Sequence, residues 1–186
     1  MWSCWPPTNG CFRGPFVNHG GVEVGTEGDA LFFVFADAPQ AVAACLEGQR
    51  ALATHPWPPG VVLRVRIGLH TSEATPVGND YVDLAVHQVA RISAGAHGGQ
   101  FLLSAATATA VEGRLPADAA LVPLGSFQLR GFPEPQPPVP ARSPGPSPRF
   151  PAPAPDRRRR SQPAVPAGRF RRANRGAEGS CLAAVG

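Results

Sequence analysis

The stretch HGGVEVGTEGDALFFVF, residues 19–35, decides the fold. Two apolar runs flank the turn Thr26-Glu27-Gly28-Asp29, and this pattern predicts a β-hairpin. Gly28 supplies the conformational freedom that a tight turn requires. The run from Leu31 to Phe35 is apolar at every position, which is typical of a strand buried on both faces. Asp29 then lies at the tip of the hairpin, either as a turn residue that points to water or as a ligand for a cation.

The segments after the hairpin alternate between helical and strand patterns. Asp37 and Pro39 open a helix that runs to the breaker at residues 55–60, and apolar residues at every second position from Val61 predict a long strand through Glu73. The remaining predictions are a loop at 76–80, a helix over 84–96, a strand over 100–103, a helix from the Ser104 cap to about Val111, and a hairpin over 121–132. This order predicts an α+β fold with helices on one face of a largely antiparallel sheet.

Composition divides the 186 residues into three parts. Residues 1–17 hold two tryptophans and three prolines without periodicity, and we predict an unstructured arm or a segment unrelated to the domain. Residues 18–136 are predicted to form the domain. Residues 137–186 carry ten arginines against two acids and much of a proline-rich run, so we predict a disordered tail that cannot bury enough apolar surface to fold.

The charge and cysteine pattern limits the class of protein. The four cysteines, at 4, 11, 45 and 181, are too scattered for a zinc site. No signal-peptide pattern and no apolar run of membrane-spanning length is present, so a soluble, cytoplasmic chain is expected. The arginine-rich tail would attract a polyanion, but such runs are usually solvated, and nucleic-acid binding is not the expected function.

Four blocks together resemble a known family. They are HGGVEVGTEGDALFFVF, LRVRIGLHTSEA, GNDYVDLAVHQVARISAGAHGGQFLLS and LGSFQLRGFPEP, and their order and spacing resemble the catalytic domain of class III adenylate/guanylate cyclases. The resemblance covers about residues 18–136 and is nearest to the kind found at the front of large actinobacterial regulators. It implies the ferredoxin-like cyclase sandwich, with the first strand and helix of that fold missing here.

The resemblance also implies a chemistry. Family members convert ATP or GTP to the cyclic nucleotide and pyrophosphate at sites shared between two subunits, using two Mg²⁺ or Mn²⁺ ions held by two aspartates. Asp29 matches the second of these metal ligands, whereas the first belongs to the missing strand. The partner implied is a second copy, or a complete cyclase domain in a heterodimer.

Four further positions match family site residues one by one. Gly25 stands where adenylate cyclases have the lysine that reads adenine, and Asp80 stands at the other base-reading position. His87 replaces the ribose-orienting asparagine, and Arg91 matches the arginine that stabilises the transferring phosphate. Each has a structural alternative: Asp80 could be a helix cap, His87 a partly buried helical residue and Arg91 a side chain that covers apolar surface. We expect Asp29, Asp80 and Arg91 to share one cleft.

Two functions remain open from the sequence. The first is a cyclase-like domain with weak or no activity, because one metal ligand is missing. The alternative is a non-catalytic pseudo-cyclase that serves as a dimerisation or nucleotide-sensing module of a signalling regulator. Without the first strand, the hairpin should leave an unprotected sheet edge and an apolar gap, which predicts marginal stability or oligomerisation.

Overall fold

The computed structural model describes residues 6–72, 80–125, 139–142 and 180–186. The elements in these ranges, in chain order, are α1 (Pro6–Asn18), β1 (Val22–Glu27), β2 (Ala30–Phe35), α2 (Ala38–Thr54), β3 (Ile67–Ser72), α3 (Asp80–Gly95), β4 (Phe101–Leu103), α4 (Ala105–Ala110), β5 (Ala120–Leu121), β6 (Val139–Arg142) and β7 (Ser180–Val185). No helix in these ranges has both the length and the apolar character needed to cross a membrane.

The strands form one sheet in the order β1-β2-β7-β3-β4-β6-β5. Each neighbouring pair is antiparallel except β3 and β4, which are parallel. The predicted hairpin is confirmed: Glu27 pairs with Ala30, and Gly28 between them has a φ of 60°, which glycine adopts without strain. The predicted α+β class with a mostly antiparallel sheet is therefore correct.

The strand β7 lies in the middle of this sheet. It runs antiparallel to both neighbours, with Leu31 of β2 and Ile67 of β3 on either side of Val185. The prediction of a disordered tail is therefore wrong for residues 139–142 and 180–185. The expected open edge of β2 is covered. The prediction averaged the composition over residues 137–186, which are rich in arginine and proline. Residues 180–185, SCLAAV, are uncharged and mostly apolar, so this short segment can form a buried strand.

Helices cover both faces of the sheet, which corrects the expectation of helices on one face. On one face Phe33, Ala183 and Leu69 pack against α2. On the other face Phe32 and Ala184 pack against α3. The reason is the doubly apolar β2 strand, whose successive side chains point to opposite faces and need cover on each.

The helix α1 corrects a second expectation, that of an unstructured N-terminal arm. Phe12 and Phe16 are buried, and the ring of Phe16 lies 4.8 Å from that of Phe33. Arg13 donates to both carboxylate oxygens of Glu23 at 2.7 and 2.9 Å, which ties α1 to β1. Local pattern argued against a helix here, since Pro15 lies inside it, but burial of two aromatic rings outweighs that propensity.

Smaller differences concern element ends. The helix α2 begins after Asp37 and ends before His55 as predicted, and Ser104 caps α4 by accepting from the Thr107 amide at 3.3 Å. The strand β3 begins only at Ile67, although exposure alternates over 61–66. The helix α3 begins at Asp80, a position predicted as loop. The predicted strand over 127–132 falls outside the described residues, and the domain limits 18–136 stay a prediction.

Candidate functional site

Asp29 lies where the β1–β2 hairpin meets the end of β7. The residue is exposed in the two-residue turn. The next residue, Ala30, lies against Gly186: a Cβ on Gly186 would be 3.6 Å from that of Ala30. The Gly186 backbone is held in turn by Arg66, through N–H···O bonds of 3.0 and 2.7 Å in the two directions. The strand end beside Asp29 is therefore firmly placed.

The strand next to this turn, β7, brings no second carboxylate side chain. Residues 181–186 read CLAAVG, so Val185 and Gly186 are what β7 presents at that end. In the described ranges, no three His, Cys, Asp or Glu side chains are grouped so that they could hold a metal ion. One carboxylate does not fit a site for two divalent cations, and we assign no catalytic step to Mg²⁺ or Mn²⁺ here.

Gly25 lies in β1 at an irregularity of the strand pairing. The register between β1 and β2 shifts between Glu23 and Gly25. Val24, between them, is buried under α3 with Phe32. A bulge of this kind locally re-aims the strand, and Gly25 lies directly after it.

The helix α3 carries the other predicted site residues. Val86 and Val89 anchor it to the sheet, while His87 is half-buried and Arg91 is exposed. Asp80 begins the helix, and its side chain lies outside the described part of the chain. The spacing of four residues places His87 and Arg91 one turn apart, as expected.

The direction of α3 separates its start from Asp29. The Ser93 hydroxyl donates to the Arg66 carbonyl at 3.3 Å, so the later part of the helix lies over the Gly186 end of β7. Residue 80 is more than three turns earlier, toward the end of β3 at Ser72, which pairs with Ser180. Within one chain, Asp29 and the start of α3 therefore lie toward opposite ends of the sheet. The shared cleft of Asp29, Asp80 and Arg91 stays a prediction.

Sequence reasoning missed a buried polar cluster between β3 and α4. The Ser104 hydroxyl lies 3.1 Å from His70 Nδ1 and 3.0 Å from the Thr107 hydroxyl, and Thr107 also accepts from the Thr71 amide at 2.8 Å. Burial lowers the pKa of His70, and a hydrogen bond to Gln88 opposes that shift in part. The Ser104 cap was readable from sequence, but its contact with a histidine 34 positions away was not.

Comparison with curated proteins finds relatives of part of this chain. An uncharacterised protein of Mycobacterium tuberculosis is 44% identical over 122 residues, which cover 64% of this chain and 40% of that protein. An adenylate cyclase of Neurospora crassa is 36% identical over 110 residues, or 46% of this chain and 5% of that protein. The chain thus spans about 40% of the length of the uncharacterised relatives. No model of a known protein family matches it.

Solved structures show the fold. An adenylate cyclase from Trypanosoma brucei in its monomeric state matches with a TM-score of 0.59 at 19% identity, over 78% of this chain and 79% of that one. An adenylate/guanylate cyclase/hydrolase from Silicibacter pomeroyi matches with a TM-score of 0.58 at 20% identity, over 72% and 79%. A Catenaria anguillulae guanylate cyclase domain in complex with GTP has a TM-score of 0.55 at 18% identity, over 71% and 78%. The chain has the α+β fold of adenylate and guanylate cyclase domains.

Proposed function

We propose that this chain is a class III nucleotidyl cyclase-like domain of the cytoplasm that makes little or no cyclic nucleotide by itself. The observation that carries the proposal is the neighbour of Asp29. The hairpin that bears this carboxylate lies beside Val185 and Gly186, and neither residue has a charged side chain.

The physical argument concerns charge. Attack of a ribose hydroxyl on a phosphate needs a cation to lower the hydroxyl pKa and a second to neutralise the phosphates. Two divalent ions held close together need more than one carboxylate to offset their mutual repulsion. Asp29 alone supplies half of the protein charge that the resemblance implies, so binding of a nucleotide is easier to retain than its turnover.

Any nucleotide site is proposed to lie between two chains. Asp29 of one copy would face residues of α3 in the other, where Asp80 is placed for base reading and His87 and Arg91 for the ribose and phosphate. The separation of Asp29 from the start of α3 within one chain supports this arrangement for Asp80. ATP or GTP with Mg²⁺ or Mn²⁺ is the proposed ligand, and a homodimer or a heterodimer with a complete cyclase domain is the proposed assembly.

The test is a product assay on the full chain. ATP or GTP is incubated with Mg²⁺ or Mn²⁺, and cyclic nucleotide is measured by mass spectrometry for the wild type and Asp29→Ala. We expect both proteins to give the same background signal. Turnover by the wild type that Asp29→Ala abolishes would refute the proposed inactivity and would show that Asp29 is required for it. Glu112→Ala, at an exposed position outside the site, is the matched control for loss of one acid.

The alternative is a non-catalytic dimerisation or nucleotide-sensing module. It is favoured by the way the sheet is completed: β7 closes it with an apolar strand, so the fold does not depend on a bound cation. Sedimentation velocity with and without ATP or GTP distinguishes the two. A nucleotide-dependent change in association without product supports the sensing module, and Arg91→Ala should then weaken the nucleotide effect.

A further inference from the structure

The groove between β2 and β3 holds β7 along its whole length. Residues 31–35 of β2 pair with 185–181, and residues 67–72 of β3 pair with 185–180. Both walls present backbone N–H and C=O groups that stay unpaired if no strand lies between them. The groove is thus a binding site for one extended segment that runs antiparallel to both walls.

The side chains of β7 fit this groove on both faces. Cys181, Ala183 and Val185 enter the core beneath α2, and Leu182 and Ala184 lie beneath α3. All five are at most 5% exposed.

The groove is built by a distant part of the chain. The described elements that make the main contacts with β7 are β2, α2, β3 and α3, which lie between residues 30 and 95. The 37 residues from 143 to 179 join β7 to β6. Covalent geometry lets such a connection span up to roughly 120–130 Å, enough to reach the groove of a neighbouring molecule as well as its own.

The contacts of β7 are the same whichever molecule supplies the strand. The choice between its own groove and another depends on relative concentrations. The connection gives the strand an effective concentration at its own groove on the order of millimolar or below, so exchange becomes competitive in concentrated or co-folded protein. Exchange of an identical element is a low-cost route to a dimer.

We propose that the β2–β3 groove accepts residues 180–186 of a second copy of this chain, so that two molecules pair by exchanging β7. The proposal does not depend on nucleotide binding. An exchanged pair would place the polypeptide of one copy at the centre of the other's sheet, next to the hairpin that carries Asp29.

Cysteine pairing tests the exchange directly. Val34 and Leu182 are directly opposed in the β2–β7 ladder, so their Cβ atoms lie about 4.5–5.5 Å apart, near the range for a disulfide. Full-length Val34→Cys and Leu182→Cys chains, with the native cysteines replaced by alanine, are unfolded, mixed, and refolded together at about 0.1–1 mM under mild oxidation. We expect a covalent heterodimer joined through positions 34 and 182.

Two controls decide the interpretation. Ala183→Cys in place of Leu182→Cys should give at most a tenth of the heterodimer, because residue 183 points to the opposite face from residue 34. A chain that carries both Val34→Cys and Leu182→Cys should form the bond internally in dilute solution. An internal bond without any heterodimer overturns the exchange, and no bond at all overturns the placement of β7.

A second measurement avoids substitutions, in case the cysteine variants fail to fold. Unlabelled and nitrogen-15-labelled wild-type chains are refolded together at the same concentration and examined by native mass spectrometry. Mixed dimers that persist on dilution and that form only after joint refolding support strand exchange. Only monomers, or dimers that mix at once without refolding, overturn it.

Discussion

Gly68 lies in β3 directly beneath α3, at a point where the packing leaves no room for a side chain. A Cβ at this position would lie 2.5 Å from the Ser93 amide nitrogen and 2.5 Å from the Val89 carbonyl oxygen. Both are helix backbone atoms, which cannot turn aside as a flexible side chain can. To restore ordinary contact at 3.4 Å, α3 must move by about 0.9 Å away from the sheet.

We expect Gly68→Ala to lower the free energy of unfolding by about 1–2 kcal/mol. Insertion of an extra methyl group into a packed core costs about 1–3 kcal/mol. A radial gap of this size loses roughly a quarter to a half of each dispersion contact. The buried side chains of α3 that face the sheet, Val86, Val89 and Ile92, share that loss. Loss of glycine's backbone freedom in the unfolded chain offsets about 0.5–1 kcal/mol.

Urea unfolding followed by circular dichroism measures this effect, as a lower midpoint at an unchanged slope. The matched control is Gly95→Ala at the end of the same helix, where a Cβ would meet only Leu102 Cδ1 at 3.6 Å. The control should be neutral or stabilising, by up to about 1 kcal/mol. Equal midpoints for the two variants would refute the close approach of α3 to β3.

Three further predictions concern the turn, the half-buried His70 and the buried thiols. Gly28→Ala should cost about 1–2 kcal/mol, because the turn requires a φ of 60°, whereas Asp29→Ala should change stability by less than about 0.5 kcal/mol. Burial lowers the pKa of His70. The stability that the neutral imidazole contributes is therefore present above its ordinary pKa of 6.5 and is lost as pH falls through the lowered pKa. We expect the urea midpoint of His70→Gln to fall less at acidic pH than that of the wild type. Burial raises the pKa of Cys181 from 9.0 to about 12. The stability that the neutral thiol contributes is therefore fully present below pH 9.0 and is lost as pH rises toward 12. A thiol reagent should reach Cys45 and Cys181 only when the protein unfolds.

Each of these has an outcome that contradicts it. Equal midpoints for Gly28→Ala and Asp29→Ala would mean that the turn does not need its left-handed residue. An unchanged acid profile in His70→Gln would mean that this histidine is not the group that titrates. Rapid labelling of Cys181 in the native protein would mean that β7 leaves the sheet readily.

Much of the fold was predictable because its signals are local. The β1–β2 hairpin follows from the turn at Gly28 between two apolar runs, and α2 follows from Asp37 and helical spacing up to the proline-rich breaker. The cap at Ser104 is likewise read from adjacent residues. Each of these features depends on contacts within a few positions along the chain, so periodicity and turn chemistry suffice to predict it.

The candidate site was predictable only in part. Asp29 at the hairpin tip and the four-residue spacing of His87 and Arg91 follow from the sequence. The sequence does not show that α3 starts at the end of the sheet remote from Asp29, because this depends on how the helix lies across β3. The roles of these residues stay predictions.

By itself the sequence determined the hairpin, the helix α2, the Ser104 cap of α4 and the α+β class, because each is encoded in neighbouring residues. Tertiary structure alone decided that residues 180–185 lie between β2 and β3. It also decided that residues 6–18 are helical despite Pro15, because the helix buries Phe12 and Phe16. The physical reason is the same in both cases. A short apolar segment has little structural preference of its own, and it is ordered by backbone partners and buried surface that lie far away in the chain.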